Sequence, residues 1–168
     1  MIEKELKFVL NTEKALKFIN KGLIHPKFEI EQHYLKKTGS RVRMIIGPQE
    51  TSYYHTTKYL LPEIGLIEIE PEIDRETYWN LVQFHSEQSI RKTRYIIKKT
   101  KEHEYVMDFI MNGPDIHVTM LEVEFQNVKP VLSKELQNLV QKEIPFLSSE
   151  YTNKKIAKEI QLLRSSVE

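Results

Sequence analysis

The 168-residue chain contains no cysteine, which excludes disulfides, thiolate nucleophiles and Cys-ligated zinc. Its five glycines form neither a phosphate-cradling loop nor a dinucleotide fingerprint, so any handling of phosphate falls to side chains. No apolar run reaches the length that crosses a bilayer, and the charged beginning does not resemble a signal peptide. The expectation is a cytoplasmic protein with no membrane partner. Aspartate is scarce, with Asp74, Asp108 and Asp115 the only three among 24 acids. Asp74 and Asp115 fall where a helix start and a turn are expected. Asp108 lies inside an apolar run, and because aspartate is depleted in strands it needs a reason. The six histidines show no paired metal-ligand spacing on a predicted helix and are read as structural or exposed.

What is present fits one globular domain spanning 1–168, with 40% hydrophobic and 29% charged residues. The net charge of +1 argues against a specific nucleic-acid partner. Extended segments are predicted near 2–9, 29–36, 41–46, 52–60, 65–71, 90–99, 104–111 and 116–126. Gly47-Pro48 and Asn112-Gly113-Pro114-Asp115 carry turn chemistry between them. Helices are predicted near 12–21, 73–88, 133–143 and 151–164. Thr12 is read as the first N-cap, and Ile73, Thr77, Leu81 and Phe84 as the inner stripe of the second helix, with Trp79 nearby. Eight antiparallel strands in so small a chain suggest closure, because a closed sheet has no exposed edges. The fold class is therefore read as α+β, a closed eight-stranded antiparallel barrel with peripheral helices.

The charges are sorted by strand. In an extended segment Glu3, Glu5 and Lys7 share one side, and Ile2, Leu6 and Phe8 the other. Arg41 and Arg43 flank Val42, Glu68 alternates with Glu70, Lys92 with Arg94, and Glu122 with Glu124. Tyr54, Thr56 and Lys58 share a face. A solvent-facing sheet usually mixes signs. Like charges gathered on one strand are more easily tolerated where a ligand or metal neutralises them.

Glu3-x-Glu5-x-Lys7 resembles the ExExK signature of the CYTH domain, the triphosphate tunnel metalloenzymes. Gln32-x-Tyr34-Leu35, Arg41-x-Arg43, Thr56-x-Lys58, Glu68-x-Glu70, Lys92-x-Arg94-Tyr95, Asp108 and Glu122-x-Glu124 follow in that family's order, with Tyr151-Thr152-Asn153 and Ile156-Ala157 towards the end. The resemblance implies a tunnel with an inward polar lining, a small-molecule triphosphate substrate and a Mg2+ or Mn2+ requirement. It implies that Lys7, Arg41, Arg43, Lys58, Lys92, Arg94 and Lys155 bind phosphates. By the same analogy Glu5, Glu122 and Glu124 hold a first ion, while Glu3, Glu70 and Asp108 bind or orient a second ion or its water, assisted by Glu68. Glu3, Lys7, Tyr34 and Lys92 are assigned to catalysis. Leu66 departs from the pattern, standing where many members carry a basic residue.

The activity implied is metal-assisted attack of water on the terminal phosphorus of a triphosphate, inorganic tripolyphosphate first, with an alkaline optimum expected from clustered carboxylates. The alternatives are an organic triphosphatase acting on a nucleoside or thiamine triphosphate, a class IV adenylate cyclase, and a non-catalytic module that sequesters triphosphate or polyphosphate.

Overall fold

The computed structural model describes residues 2–146 and 148–167, and at Ile2 and Glu3 the backbone alone. Its elements in chain order are β1 (Ile2–Glu3), β2 (Glu5–Leu10), α1 (Thr12–Ile19), β3 (Lys27–Leu35), β4 (Arg41–Ile46), β5 (Thr51–Leu61) and β6 (Gly65–Ile69). There follow α2 (Arg75–His85), β7 (Ser86–Lys99), β8 (His103–Asn112), β9 (Asp115–Phe125), α3 (Lys134–Gln137), β10 (Val140–Ile144) and α4 (Asn153–Ser165). The chain divides into two compact units.

The first unit holds β1, β3 to β6, α2, α4 and the first residues of β7. Its strands run in the order β1-β6-β5-β4-β3, with antiparallel registers that set Tyr34 opposite Arg41, Gln32 opposite Arg43, Arg41 opposite Thr56 and Lys58 opposite Glu68. Asp74 starts α2 by accepting the Thr77 N–H at 2.8 Å, a cap worth about 1 kcal/mol. The helix buries Tyr78 completely, packed with Leu35, Val42, Met44, Tyr53, Ile73, Leu81 and Val82. The predicted stripe is thus turned by about one residue, and Phe84 is exposed. In α4, Thr152 is the N-cap, and Ile156, Ala157 and Ile160 form the buried side.

The second unit holds β2, α1, the remainder of β7, β8, β9, α3 and β10. Its order is β8-β9-β2-β10, with β7 beside β8. Two residues, Gly113-Pro114, join β8 to β9, since Asn112 pairs with Asp115. Gly113 takes φ +61°, the left-handed conformation that glycine adopts at no steric cost. One face of this ladder makes the core: Phe8, Leu10, Tyr105, Met107, Phe109, Leu121 and Val123 pack with Ala15 of α1 and with Leu136 and Leu139. Asn11 rather than Thr12 caps α1, accepting the Lys14 N–H at 2.9 Å. The Thr12 hydroxyl is instead hydrogen-bonded to that of Thr119 at 2.8 Å.

Neither ladder closes on itself among the described residues, so the predicted closed eight-stranded barrel is corrected to ten strands in open ladders. Two changes account for the extra strands. The opening segment breaks at Lys4, β1 pairing with β6 and β2 with β9. The predicted helix over 133–143 shrinks to α3, and Val140–Ile144 becomes a strand on the edge of β2. Pairing there satisfies a row of β2 backbone groups, which outweighs a marginal local helix preference.

Candidate functional site

The face of the second unit opposite its core carries the charges. Alternation along β2 places Glu5 and Lys7 on it, and alternation along β9 places Glu122 and Glu124 beside them. The register sets Glu5 directly opposite Glu124 and Lys7 opposite Glu122. Lys7 Nζ lies 2.8 Å from Glu5 Oε1 and 3.9 Å from Glu122 Oε1.

Asp108 of β8 now has its reason. It is 1% exposed and both its oxygens are engaged. Lys92 Nζ donates to Oδ2 at 2.6 Å, Arg94 Nε to Oδ1 at 2.7 Å and Arg94 Nη2 to Oδ2 at 2.8 Å. Arg94 Nη2 also donates to Glu122 Oε2 at 3.2 Å, which joins the aspartate cluster to the β2–β9 carboxylates. A forked guanidinium with a carboxylate on each side is held in one orientation.

Burial acts against every charge in this cluster, and the neighbours decide the outcome. Burial pushes the Asp108 carboxyl up, but Arg94 and Lys92 outweigh it and hold it well below the usual carboxylate range. Glu122 follows the same logic, with Lys7, Lys92 and Arg94 lowering it against burial and Asp108. Arg94 is raised, burial being overcome by Asp108, Glu122 and Glu124. Lys92 is the exception. Burial, and then Arg94, bring it down to about 8 despite Asp108 and Glu122.

The first unit carries a second charged face. Arg43 donates to Glu70, which also accepts the Thr56 hydroxyl. Lys58 Nζ lies 2.9 Å and Arg41 Nη2 3.7 Å from the same Glu68 oxygen. Burial raises the Glu68 carboxyl, but Lys58, Arg41 and Arg43 bring it below its ordinary value. Tyr34 is buried and its hydroxyl accepts from Gln32 Nε2 at 2.7 Å. The Nε of Arg41, the Nε of Arg43 and Oε1 of Gln32 are buried with no hydrogen-bond partner among the described residues. Unpaired buried polar groups are costly, and the two arginine donors are of the kind an anion satisfies.

The structure therefore groups Glu5, Lys7, Lys92, Arg94, Asp108, Glu122 and Glu124 on one face of one unit. On one face of the other it groups Tyr34, Arg41, Arg43, Lys58, Glu68 and Glu70. Lys155 stands apart, exposed on α4, its described hydrogen bond running from its backbone N–H to the Thr152 hydroxyl at 3.2 Å. The side chain of Glu3 lies outside the described residues. Glu104, not singled out by sequence, pairs opposite Glu124 and so adds an acid to the face of the second unit.

Glu5, Glu122 and Glu124 supply hard oxygen donors from adjacent strands, a donor chemistry that fits Mg2+ or Mn2+. Among the described residues no three acidic or histidine side chains already converge on one ion position; Glu5 is instead drawn to Lys7. Asp108, Glu68 and Glu70, read from sequence as ligands or their supports, are each held by cations of their own unit.

No family model and no curated protein matches this sequence. Solved structures do. The chain is similar to the PH1819 protein of Pyrococcus horikoshii OT3, at 20% identity and TM-score 0.57 over 97% of this chain and 86% of that one. It is similar to the PH1012 protein of the same organism, at 22% identity and TM-score 0.55 over 77% and 81%. The inorganic triphosphatase NE1496 matches at 21% identity and TM-score 0.53 over 94% and 95%. At such identities the likeness is one of fold alone. Among the described residues no helix is long and apolar enough to cross a membrane.

Proposed function

We propose that this protein is a divalent-metal-dependent triphosphatase that converts tripolyphosphate to pyrophosphate and phosphate. One observation carries the reading: four carboxylates and three cations interleave on a single face of the second unit. Glu5 stands opposite Glu124, Lys7 opposite Glu122, and Lys92 and Arg94 are fixed by Asp108. A pure cation receptor has no use for the lysines and arginine, and a pure anion receptor has none for the glutamates. A metal–phosphate complex uses both. The fold shared with an inorganic triphosphatase supports the same reading.

Glu5, Glu122 and Glu124 would hold Mg2+ or Mn2+, which supplies charge neutralisation at phosphate oxygens and acidifies nearby water. Lys7 leaves Glu5 for a phosphate oxygen, freeing the carboxylate in the same motion. Arg94 and Lys92, clamped by Asp108, present fixed positive charge to the transferring phosphoryl group, so little reorganisation is needed as charge develops. Arg41, Arg43 and Lys58 act as anion-binding groups in the first unit, where the two Nε donors await a partner. Glu70 and Glu68 hold these cations in place, Tyr34 keeps Gln32 oriented, and exposed Lys155 is an outer attraction for polyanions. Glu3 is assigned to orienting water.

The test is Glu5→Gln. It retains shape and removes one negative ligand, and it is expected to cut metal-dependent phosphate release from tripolyphosphate about 100-fold or more with an unchanged circular dichroism spectrum. Kinetics equal to wild type would remove Glu5 from the site.

A further inference from the structure

We infer that Ser86, His33 and Glu31 form a second, serine-hydrolase-like centre that cleaves small esters, separate from the charged faces. His33 Nε2 lies 2.8 Å from Glu31 Oε1, and His33 Nδ1 lies 2.9 Å from Ser86 Oγ. An ionised carboxylate only accepts hydrogen bonds, so Nε2 carries the proton. In the neutral ring Nδ1 is then a lone pair, and the Ser86 hydroxyl must donate to it. That is the arrangement of a serine nucleophile, its base and the group that fixes the base's tautomer, recognised by geometry rather than sequence order. Glu31 is itself held, with Arg91 Nε 3.4 Å from its other oxygen. His33 is 9% exposed, so its orientation is set by packing as well as by these bonds. The ring also packs edge-on to buried Tyr78, with centroids 6.3 Å apart.

Ser86 and His33 line a cavity of about 150 Å³, together with Gln88, Gln161 and Arg164. That is several times the ~30 Å³ share of one water, enough for a short acyl group. Gln88 and Gln161 line the cavity, and an amide N–H is a donor of the kind that a developing oxyanion accepts from. Oε1 of Gln88 is buried with no hydrogen-bond partner among the described residues. Every one of these residues belongs to the first unit.

In the reaction Ser86 Oγ bonds to the ester carbonyl carbon while its proton passes to His33 Nδ1. The tetrahedral adduct collapses, the bond to the alcohol oxygen breaks, and that oxygen takes the proton from Nδ1. Water then attacks the acyl-serine by the same route and releases the carboxylic acid, restoring the Ser86 hydroxyl. No oxidant, metal or further reactant is needed.

The experiment treats the full chain with a small alkyl fluorophosphonate, locates the adduct by peptide mass mapping, and follows p-nitrophenyl acetate hydrolysis in parallel. The expected result is one adduct, on Ser86, abolished in Ser86→Ala. Labelling and ester turnover fall about 100-fold in His33→Gln and by less in Glu31→Gln, with thermal melts confirming that each variant is folded. Tripolyphosphate hydrolysis is unchanged in Ser86→Ala, so this centre and the triphosphatase reading stand or fall separately. An unlabelled Ser86 in the wild type would overturn the inference, as would labelling that persists at full rate in folded His33→Gln and Glu31→Gln.

Discussion

Lys7 and Glu5, two residues apart on one strand, are joined by a 2.8 Å ion pair on the face where Glu5 stands opposite Glu124. The lysine occupies the place of a counter-ion for the carboxylates, so removing it has opposite effects on the two ligands. Lys7→Gln is expected to tighten Mn2+ binding severalfold and to weaken tripolyphosphate binding about tenfold, consistent with a lost close charge–charge contact. Calorimetric titration with each ligand alone checks both directions. A loss of Mn2+ affinity in this variant would argue that Lys7 supports the site by packing rather than by competing for it.

Asp108, Lys92 and Arg94 form a buried cluster whose members are not equivalent. Arg94 makes two of the three hydrogen bonds to Asp108 and the link to Glu122. Arg94→Met is therefore expected to destabilise the protein by about 3–5 kcal/mol, the range for leaving a buried charge with a missing partner. Lys92→Met leaves Asp108 with its forked partner and removes a lysine whose burial is costly, so it destabilises less. Urea unfolding of both variants checks the order, and the reverse order would contradict it.

The acid limb of stability has a defined sign. Asp108 and Glu122 hold folded-state values below their ordinary 3.8 and 4.5 because neighbouring cations outweigh burial. Their stabilisation is full above those ordinary values and is lost as pH falls through the folded ones. The melting temperature should therefore stay level down to about pH 5 and fall steeply below about pH 4. Asp108→Asn should be less stable at pH 7 and show a shallower acid decline. An acid limb in Asp108→Asn as steep as in the wild type would assign it to other groups.

Lys92 gives the alkaline counterpart. Its folded value, lowered to about 8 by burial and Arg94, lies under the ordinary 10.5. The folded protein releases this proton more readily than the unfolded chain, so this residue's contribution makes stability rise between about 8 and 10.5. Comparing wild type with Lys92→Met across that window isolates the term, which the variant lacks. Equal pH slopes in the two proteins would contradict the assignment.

Much of the charged face was legible because side chains on a strand alternate with period two. Glu5 with Lys7, Lys92 with Arg94, and Glu122 with Glu124 could be assigned to shared strand faces from spacing alone. Asp108 stands out in an apolar run as a residue that needs a reason, and its bonds to Lys92 and Arg94 supply one. The partners across strands were not legible, because register depends on pairings between distant segments. Nothing local announces that Glu5 meets Glu124 or that Asp108 takes both Lys92 and Arg94. The break at Lys4 and the conversion of Val140–Ile144 to a strand have the same origin, since each is decided by what the segment pairs with. Nothing local marks His33, because its partner Ser86 lies far along the chain, although Glu31-x-His33 places an acid and an imidazole on one strand face.

The Nε donors of Arg41 and Arg43, which have no hydrogen-bond partner among the described residues, make the first unit's face testable independently of catalysis. Tripolyphosphate at about 100 times its dissociation constant should stabilise the wild type by about 2.7 kcal/mol. Arg41→Lys and Arg43→Lys keep the charge but lose the fork, and each should shrink the thermal shift markedly. An undiminished shift in both variants would show that these donors do not meet the ligand.

The most direct measurement is phosphate release from tripolyphosphate by the wild-type protein in Mg2+, in Mn2+ and in excess chelator, with ATP and thiamine triphosphate as competing substrates. Turnover of tripolyphosphate is expected to require the metal, to exceed that of both organic triphosphates and to yield no cyclic nucleotide from ATP. Tight binding with no phosphate released in either metal, or release that persists undiminished in chelator, would contradict it.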